Sequence, residues 1–254
     1  MATGRPRVLV LMGGESGEHD VSLRSGAAVV AALPEAGYEP LPVIIGRDGR
    51  YSFPAANALG SACESVSLGT AMTRVEAMVP VCAFIAMHGP TGEDGRVQSL
   101  MDLMHLPHIG SDVVGSAVAM DKWLAKAVYR GAGIPTADAE LVRASDLAGQ
   151  GDALLTGICE RLGLPCVVKT PRLGSSVGVW LARTFEELRE HVASALAMDD
   201  MVMLEAFARG RELTVPVLED PDSGLARALS VIEIRVKKNA FFDYESKYDP
   251  NATE

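Results

Sequence analysis

Between residues 166 and 182 the chain reads CVVKTPRLGSSVGVWLA, which brings a cation, two hydroxyls and two glycines within a few residues of one another. Lys169 carries a positive charge on a flexible stem, and Ser175 and Ser176 can donate O–H bonds. Gly174 and Gly178 let backbone N–H groups come close to a ligand. That set suits the polyphosphate of a nucleotide. It is not the common phosphate-binding loop, because no G-x-x-x-x-G-K-[ST] occurs and the lysine precedes the glycines. Taken alone, the same stretch reads equally well as an ordinary hairpin with a Gly/Ser tip. A second candidate is Glu18, in the loop GGESGEHD (13–20). A carboxylate just past the end of a strand can pair with a substrate cation, and a solvated loop glutamate has the same local sequence. A third is His88, at the head of HGPTGEDG (88–95). Its ring either faces the same cleft or serves as a structural hydrogen-bond partner. Glu93 and Asp94 are expected to shape that loop by accepting backbone N–H bonds.

Periodicity supplies the scaffold for these groups. Residues 7–12 (RVLVLM) read as a buried strand ending at Gly13-Gly14, followed by a helix over 21–33 with Asp20 or Ser22 as its cap. A second strand covers 39–45, with a turn at 46–49, and a third covers 78–87. Helices follow over 97–106 and from Ser111-Asp112 to 120. Strands alternating with helices predict a parallel or mostly parallel sheet, with ligands at the strands' carboxyl ends. No G-x-G-x-x-G is present, so a dinucleotide is not indicated. Residues 57–74 carry no usable pattern. A helix opens at Asp121-Lys122 and stops at Gly131 and Gly133. Beyond it come a strand at 139–142, a helix over 145–162, and an antiparallel hairpin around the Gly/Ser tip. Thr184 and Glu187 then have capping-box spacing at the head of a helix to 198. Strands are expected at 201–205, 211–218 and 229–236, and residues 241–248 mix aromatic with charged side chains.

With 254 residues there is room for two domains and a cleft between them. A net charge of −10 without any basic cluster argues against nucleic acid or an anionic membrane as partner. The longest apolar runs fall far short of a membrane span, and the apolar stretch at 8–12 is too short for a secretory signal, so a cytoplasmic protein is expected. The four cysteines lack metal-like spacing; Cys82 and Cys166 sit in apolar runs and read as buried free thiols.

Six motifs stand in a fixed order: GGESGEHDVS (13–22), HGPTGEDG (88–95), MDK (120–122), VVKTPRLGSSVGV (167–179), LEAFARGRE (204–212) and YESKY (244–248). In this arrangement the chain resembles the D-alanine–D-alanine ligases of the ATP-grasp superfamily over essentially its whole length. The resemblance implies an α/β fold. A Rossmann-like (pre-ATP-grasp) substrate domain with a parallel sheet would span 1–118, with an ATP-grasp lid lobe over 119–206 and a partial C-terminal lobe over 207–254. It implies ATP-dependent joining of two D-alanines through an acyl phosphate, for peptidoglycan precursors, in a possible homodimer that binds D-alanine and ATP. Glu18 would contact the ammonium of the first D-alanine, with His88 near the substrate amines. Ser22 would help orient Glu18 or simply cap a helix. Lys122, Lys169 and Lys247 would be phosphate ligands. Ser175 would reach the substrate, and Ser176 with the loop N–H groups would reach the nucleotide. Glu205 would accept from the adenine amino group, Glu212 would contact the ribose, and Ala206 and Phe207 would face the purine. Tyr248, Ser175 and Glu18 would form a hydrogen-bonded triad, and a tyrosine at 248 favours an amine as second nucleophile.

Relatives of this kind continue past the position of Glu254 into a segment that carries a catalytic arginine, the ligands of two Mg²⁺ ions and the grip on the second D-alanine. Mg²⁺ is therefore expected for the family, but its ligands are not expected in these 254 residues. An uncovered sheet edge and apolar face are expected near residue 254. A ligase, a binding-only remnant and a ligase of other substrates stay open as readings. Thr170-Pro171 also departs from the family, which usually has proline directly after the lysine.

Overall fold

A computed structural model describes residues 4–149, 151–174, 177–220 and 222–235. Packing separates two units, Met1–Gly131 with Arg172–Gly174, and Ala132–Pro171 with Ser175–Glu254. The first runs β1 (Arg7–Gly13), α1 (His19–Ala32), β2 (Glu39–Ile45), β3 (Tyr51–Ser52), β4 (Ser65–Val66), α2 (Leu68–Met78), β5 (Cys82–Ile85), α3 (Arg96–Leu103), β6 (His108–Ile109), α4 (Val113–Met120) and α5 (Lys122–Gly131).

The sheet of this unit has the order β4-β3-β2-β1-β5-β6. The four strands β2, β1, β5 and β6 are parallel, and β3 and β4 are antiparallel additions at one edge. Strand β1 sits centrally because its two faces are both apolar, as a doubly covered parallel strand requires. Leu9 and Leu11 point into a core shared with Val43, Val75 and Met101. Val8, Val10 and Met12 point to the opposite face, with Val30 of α1 and Ala86. Each such side chain contributes roughly 1.5–3 kcal/mol of apolar burial. The chain leaves β1 toward β2 on one side and meets β5 on the other. The carboxyl ends of β1 and β5 therefore form a switch point, the place where open α/β sheets bind ligands.

The second unit runs β7 (Ala139–Arg143), α6 (Ala144–Leu147), α7 (Gly151–Leu162), β8 (Cys166–Lys169), β9 (Val179–Ala182), α8 (Phe185–Leu196), β10 (Met201–Ala206), β11 (Glu212–Thr214), β12 (Val217–Glu219), β13 (Ala226–Ala228) and β14 (Ile232–Ile234). Strands β7-β10-β8-β9 form an antiparallel sheet, which includes the expected hairpin of β8 and β9. Val168, Val202 and Leu204 pack with Leu155, Ile158, Leu188 and Val192 of α7 and α8. Thr184 caps α8 by accepting from Glu187 N at 3.2 Å, while Glu187 Oε2 reaches back to Arg183 N at 2.6 Å. Among the described residues β11 pairs with β14 alone and β12 with β13 alone, leaving Leu213, Val217 and Leu218 exposed.

Several expectations need correction. Neither Asp20 nor Ser22 caps α1, which begins already at His19. The strand predicted over 78–87 is shorter, because α2 extends to Met78 and Val79 takes a left-handed turn at φ 50°. The patternless window 57–74 holds β4 and much of α2. The helix predicted over 145–162 is broken between α6 and α7, and the strand predicted over 211–218 is divided into β11 and β12. All four cysteines are free; Cys166 is buried but Cys82 is only half-buried. Burial pushes the Cys166 thiol up to about 11, so it stays protonated and inert at neutral pH. No described helix is long and apolar enough to cross a membrane.

Candidate active site

In the first unit, the loop after β1 sets Glu18 at the head of α1. Glu18 is only 4% exposed, and its side chain does not cap the helix. A negative charge is favoured at this end of a helix. A Cβ built on Gly89 would lie 2.3 Å from Glu18 Oε2, and one on Gly174 would lie 3.2 Å away. The carboxylate therefore rests against bare glycine backbone, which leaves it close to main-chain groups without a side chain between.

The loop after β5 forms that wall, and acidic side chains shape it as expected. Glu93 Oε2 accepts from Gly89 N at 2.7 Å, and Asp94 accepts from Thr91 N at 2.9 Å and Arg96 N at 3.2 Å. Gln98, on α3, donates from Nε2 to Gly92 O at 2.8 Å. His88 has its Nε2 3.0 Å from Ser25 Oγ on α1. A cavity of about 490 Å³ lies beside it, lined in part by Met87, Glu93 and Gln98. Ser22 does not orient the Glu18 carboxylate by a described bond. Its buried hydroxyl accepts from Gly13 N and donates to Ala86 O, both at 2.8 Å, tying the end of β1 to the end of β5.

Lys122 is the first residue of α5, and its Nζ donates to Leu173 O. Asp121 accepts from Trp123 N and Leu124 N at 3.0 and 3.1 Å, and its other oxygen lies 3.5 Å from Arg172 Nε. The Arg172–Asp121 ion pair and the Lys122–Leu173 bond thus tie the short segment Arg172–Gly174 to the head of α5.

In the second unit, Lys169 ends β8 and faces Met203 across the ladder, so Glu205, two residues further along β10, is its diagonal neighbour on one face. The two side chains form an ion pair. Their exposures of 17% and 15% leave both tips within reach of a ligand. Ala206 closes β10 with its N–H given to Asp138 O at 2.8 Å, and Phe207 follows, half-buried. Glu212 is exposed at the start of β11.

The Thr170 departure has a local account. Its N–H donates to Gly178 O at 2.9 Å, closing the base of the Gly/Ser tip, a bond that proline cannot make. Gly178 sits at φ +69°, and a Cβ there would lie 2.6 Å from Thr170 Oγ1 in a residue with no exposed surface. Gly178→Ala is expected to cost about 1–3 kcal/mol through backbone strain and this collision. A fall of several degrees in Tm by circular dichroism would show it; an unchanged Tm contradicts the packing described.

The structure therefore brings Glu18 and His88 to one switch point, places Lys122 in the same unit, and joins Lys169 to Glu205 beside Ala206 and Phe207 in the other. Ser175, Ser176, Lys247 and Tyr248 lie outside the described residues. Sequence reasoning missed Ser16, and it read Asp121 only as the opening of a helix, without its ion pair to Arg172. Ser16, two residues before Glu18, carries the signal of a serine that bonds the backbone two residues on. Among the described residues, no three His, Cys, Asp or Glu side chains come together to hold a metal ion.

Comparison with known proteins places these features in context. The family described as D-ala D-ala ligase N-terminus matches residues 7–111, and that described as D-ala D-ala ligase C-terminus matches residues 128–254. A D-alanine--D-alanine ligase of Desulforudis audaxviator is 40% identical over 249 residues, covering 98% of this chain and 71% of the relative. The D-alanine-D-alanine ligase structure from Coxiella burnetii matches with a TM-score of 0.76 and 28% identity, over 90% of this chain and 71% of that one. The VanG D-Ala:D-Ser ligase of Enterococcus faecalis matches with a TM-score of 0.79 and 25% identity, over 98% and 75% of the two chains.

Proposed function

Since the chain belongs to the D-alanine–D-alanine ligase family, we propose that it serves the ATP-dependent joining of two D-alanines into a dipeptide for peptidoglycan precursors. A carboxylate is a poor electrophile at neutral pH, and phosphorylation gives it a leaving group. One carboxylate oxygen of the first D-alanine attacks the γ-phosphorus of ATP and expels ADP. The amine of the second then attacks the acyl carbon, giving a tetrahedral intermediate that loses phosphate while the nitrogen loses a proton. The chain's part is positioning and charge stabilisation.

The observation that carries this reading is the buried Glu18 carboxylate at the strand switch point, lying against glycine backbone. It holds the ammonium of the first D-alanine, with His88 nearby. Lys122, Lys169 and Lys247 take the phosphates, joined by Ser176 and the loop N–H groups. Glu205 accepts from the adenine amino group, Glu212 contacts the ribose, and Ala206 and Phe207 line the purine. Ser175 and Tyr248 share in catalysis. The ion pair of Lys169 and Glu205 suits this division, because a nucleotide gives each partner a new counterpart, phosphate for the lysine and the purine amine for the carboxylate. Residues 1–118 supply the amino-acid site, 119–206 the lid and 207–254 belong to the last lobe, in a cytoplasmic protein that assembles as a homodimer. Among the described residues no cluster fits the Mg²⁺ of the family.

The second reading is a protein that binds ATP or D-alanine without turnover. Calorimetric titration with ATP and with D-alanine, beside a phosphate-release assay with Mg²⁺, separates the two. Binding of both with D-alanine-dependent phosphate release is the result expected of a ligase. Binding without release selects the second reading, and no binding of either ligand refutes both. Replacing the second D-alanine by D-serine in the same assay tests the substrate.

A further inference from the structure

We infer that Ser16 is a positioning residue for the first amino-acid site, acting through the peptide unit between His88 and Gly89; the inference rests on reading Glu18 as the contact to the substrate ammonium. The Ser16 hydroxyl donates to His88 O at 2.9 Å and accepts from Glu18 N at 3.2 Å. One side chain thus bridges the main chain of Glu18 and the main chain immediately before Gly89. The other end of that same peptide unit, Gly89 N, is held by Glu93 Oε2 at 2.7 Å. The C=O and the N–H of a single peptide are therefore gripped from opposite sides.

This grip matters because the residue it holds abuts the Glu18 carboxylate. Gly89 stands at φ +70°, and its Cα faces that carboxylate so closely that a Cβ would fall 2.3 Å from Oε2. Glycine has little intrinsic preference between positive and negative φ, so the 88–89 peptide could rotate at low cost if it were not held. Rotation would turn a carbonyl or an N–H toward or away from the carboxylate, changing the wall against which an ammonium is seated. Ser16 removes that freedom and at the same time fixes the spacing between the two loops. A residue 72 positions away in sequence is thereby set against Glu18 by one hydroxyl.

The test compares the 254-residue chain with Ser16→Ala and Ser16→Thr, measuring D-alanine and ATP affinities by calorimetry together with Tm. Loss of the two bonds in Ser16→Ala is expected to weaken D-alanine binding about tenfold, equivalent to about 1.4 kcal/mol. ATP affinity is expected to stay unchanged, and Ser16→Thr, which keeps the hydroxyl, is expected to restore D-alanine binding. A purely structural role would instead lower Tm and both affinities together, which overturns the inference. Equal D-alanine binding by Ser16→Ala and the parent also overturns it while leaving the reading of Glu18 intact. A parent chain that binds ATP but not D-alanine sinks the reading of Glu18 and the inference with it.

Discussion

Replacing Glu18 by glutamine is expected to reduce D-alanine affinity between about a hundredfold and a few thousandfold while leaving ATP binding unchanged. The side chain is 4% exposed, so an ammonium seated on it is largely removed from water. Breaking a buried ion pair by removing one partner costs about 3–5 kcal/mol, and each 1.4 kcal/mol is a factor of ten. The fold is expected to tolerate the change. Glutamine has the same shape, no capping bond is lost from α1, and removing a negative charge from a helix N-terminus costs only about 0.3–1 kcal/mol. Calorimetry with D-alanine and with ATP, alongside a melting curve, reads all three quantities. A variant that keeps parental D-alanine affinity would remove Glu18 from the site, and one that loses Tm and both affinities would make it a structural residue.

Lys169→Met is expected to weaken ATP and ADP by roughly ten- to a hundredfold and to leave adenosine binding unchanged. The loss follows from one charge-assisted hydrogen bond to phosphate, worth about 1.5–3 kcal/mol. Because adenosine has no phosphate, the comparison isolates where the lysine acts. The variant also takes the cation from Glu205, its partner across the β8–β10 ladder, and that separation is expected to lower Tm. Adding Glu205→Gln removes the second charge, so the double variant is expected to regain Tm without regaining phosphate affinity. Equal loss of adenosine and ATP in Lys169→Met would show that the lysine supports the purine pocket instead of the phosphates.

Much of the architecture was legible in local spacing. The continuous apolar run Val8–Met12 announced a strand covered on both faces, and the structure buries all five residues. Asp112 and Thr184 cap α4 and α8 as their types suggested, accepting from Gly115 N at 2.6 Å and Glu187 N at 3.2 Å. The two β-branched runs around the Gly/Ser tip paired as the antiparallel β8 and β9. The order of six short motifs indicated the family that the comparisons support. The strand, the caps and the hairpin depend on neighbours within a few positions, where side-chain type and backbone preference act directly.

Sequence alone determined most of the strands and helices and their order, though not β4 or α2, and the residue types that could meet a nucleotide and an amino acid. Tertiary structure alone decided which of them touch. It moved the start of α1 to His19, leaving Ser22 to join two strand ends instead of capping. It paired Lys169 with Glu205, 36 residues apart, and set Ser16 on His88 across 72. The reason is physical. A hydroxyl or carboxylate can satisfy any donor that the fold brings within about 3 Å, and no local propensity ranks partners that lie on separate strands.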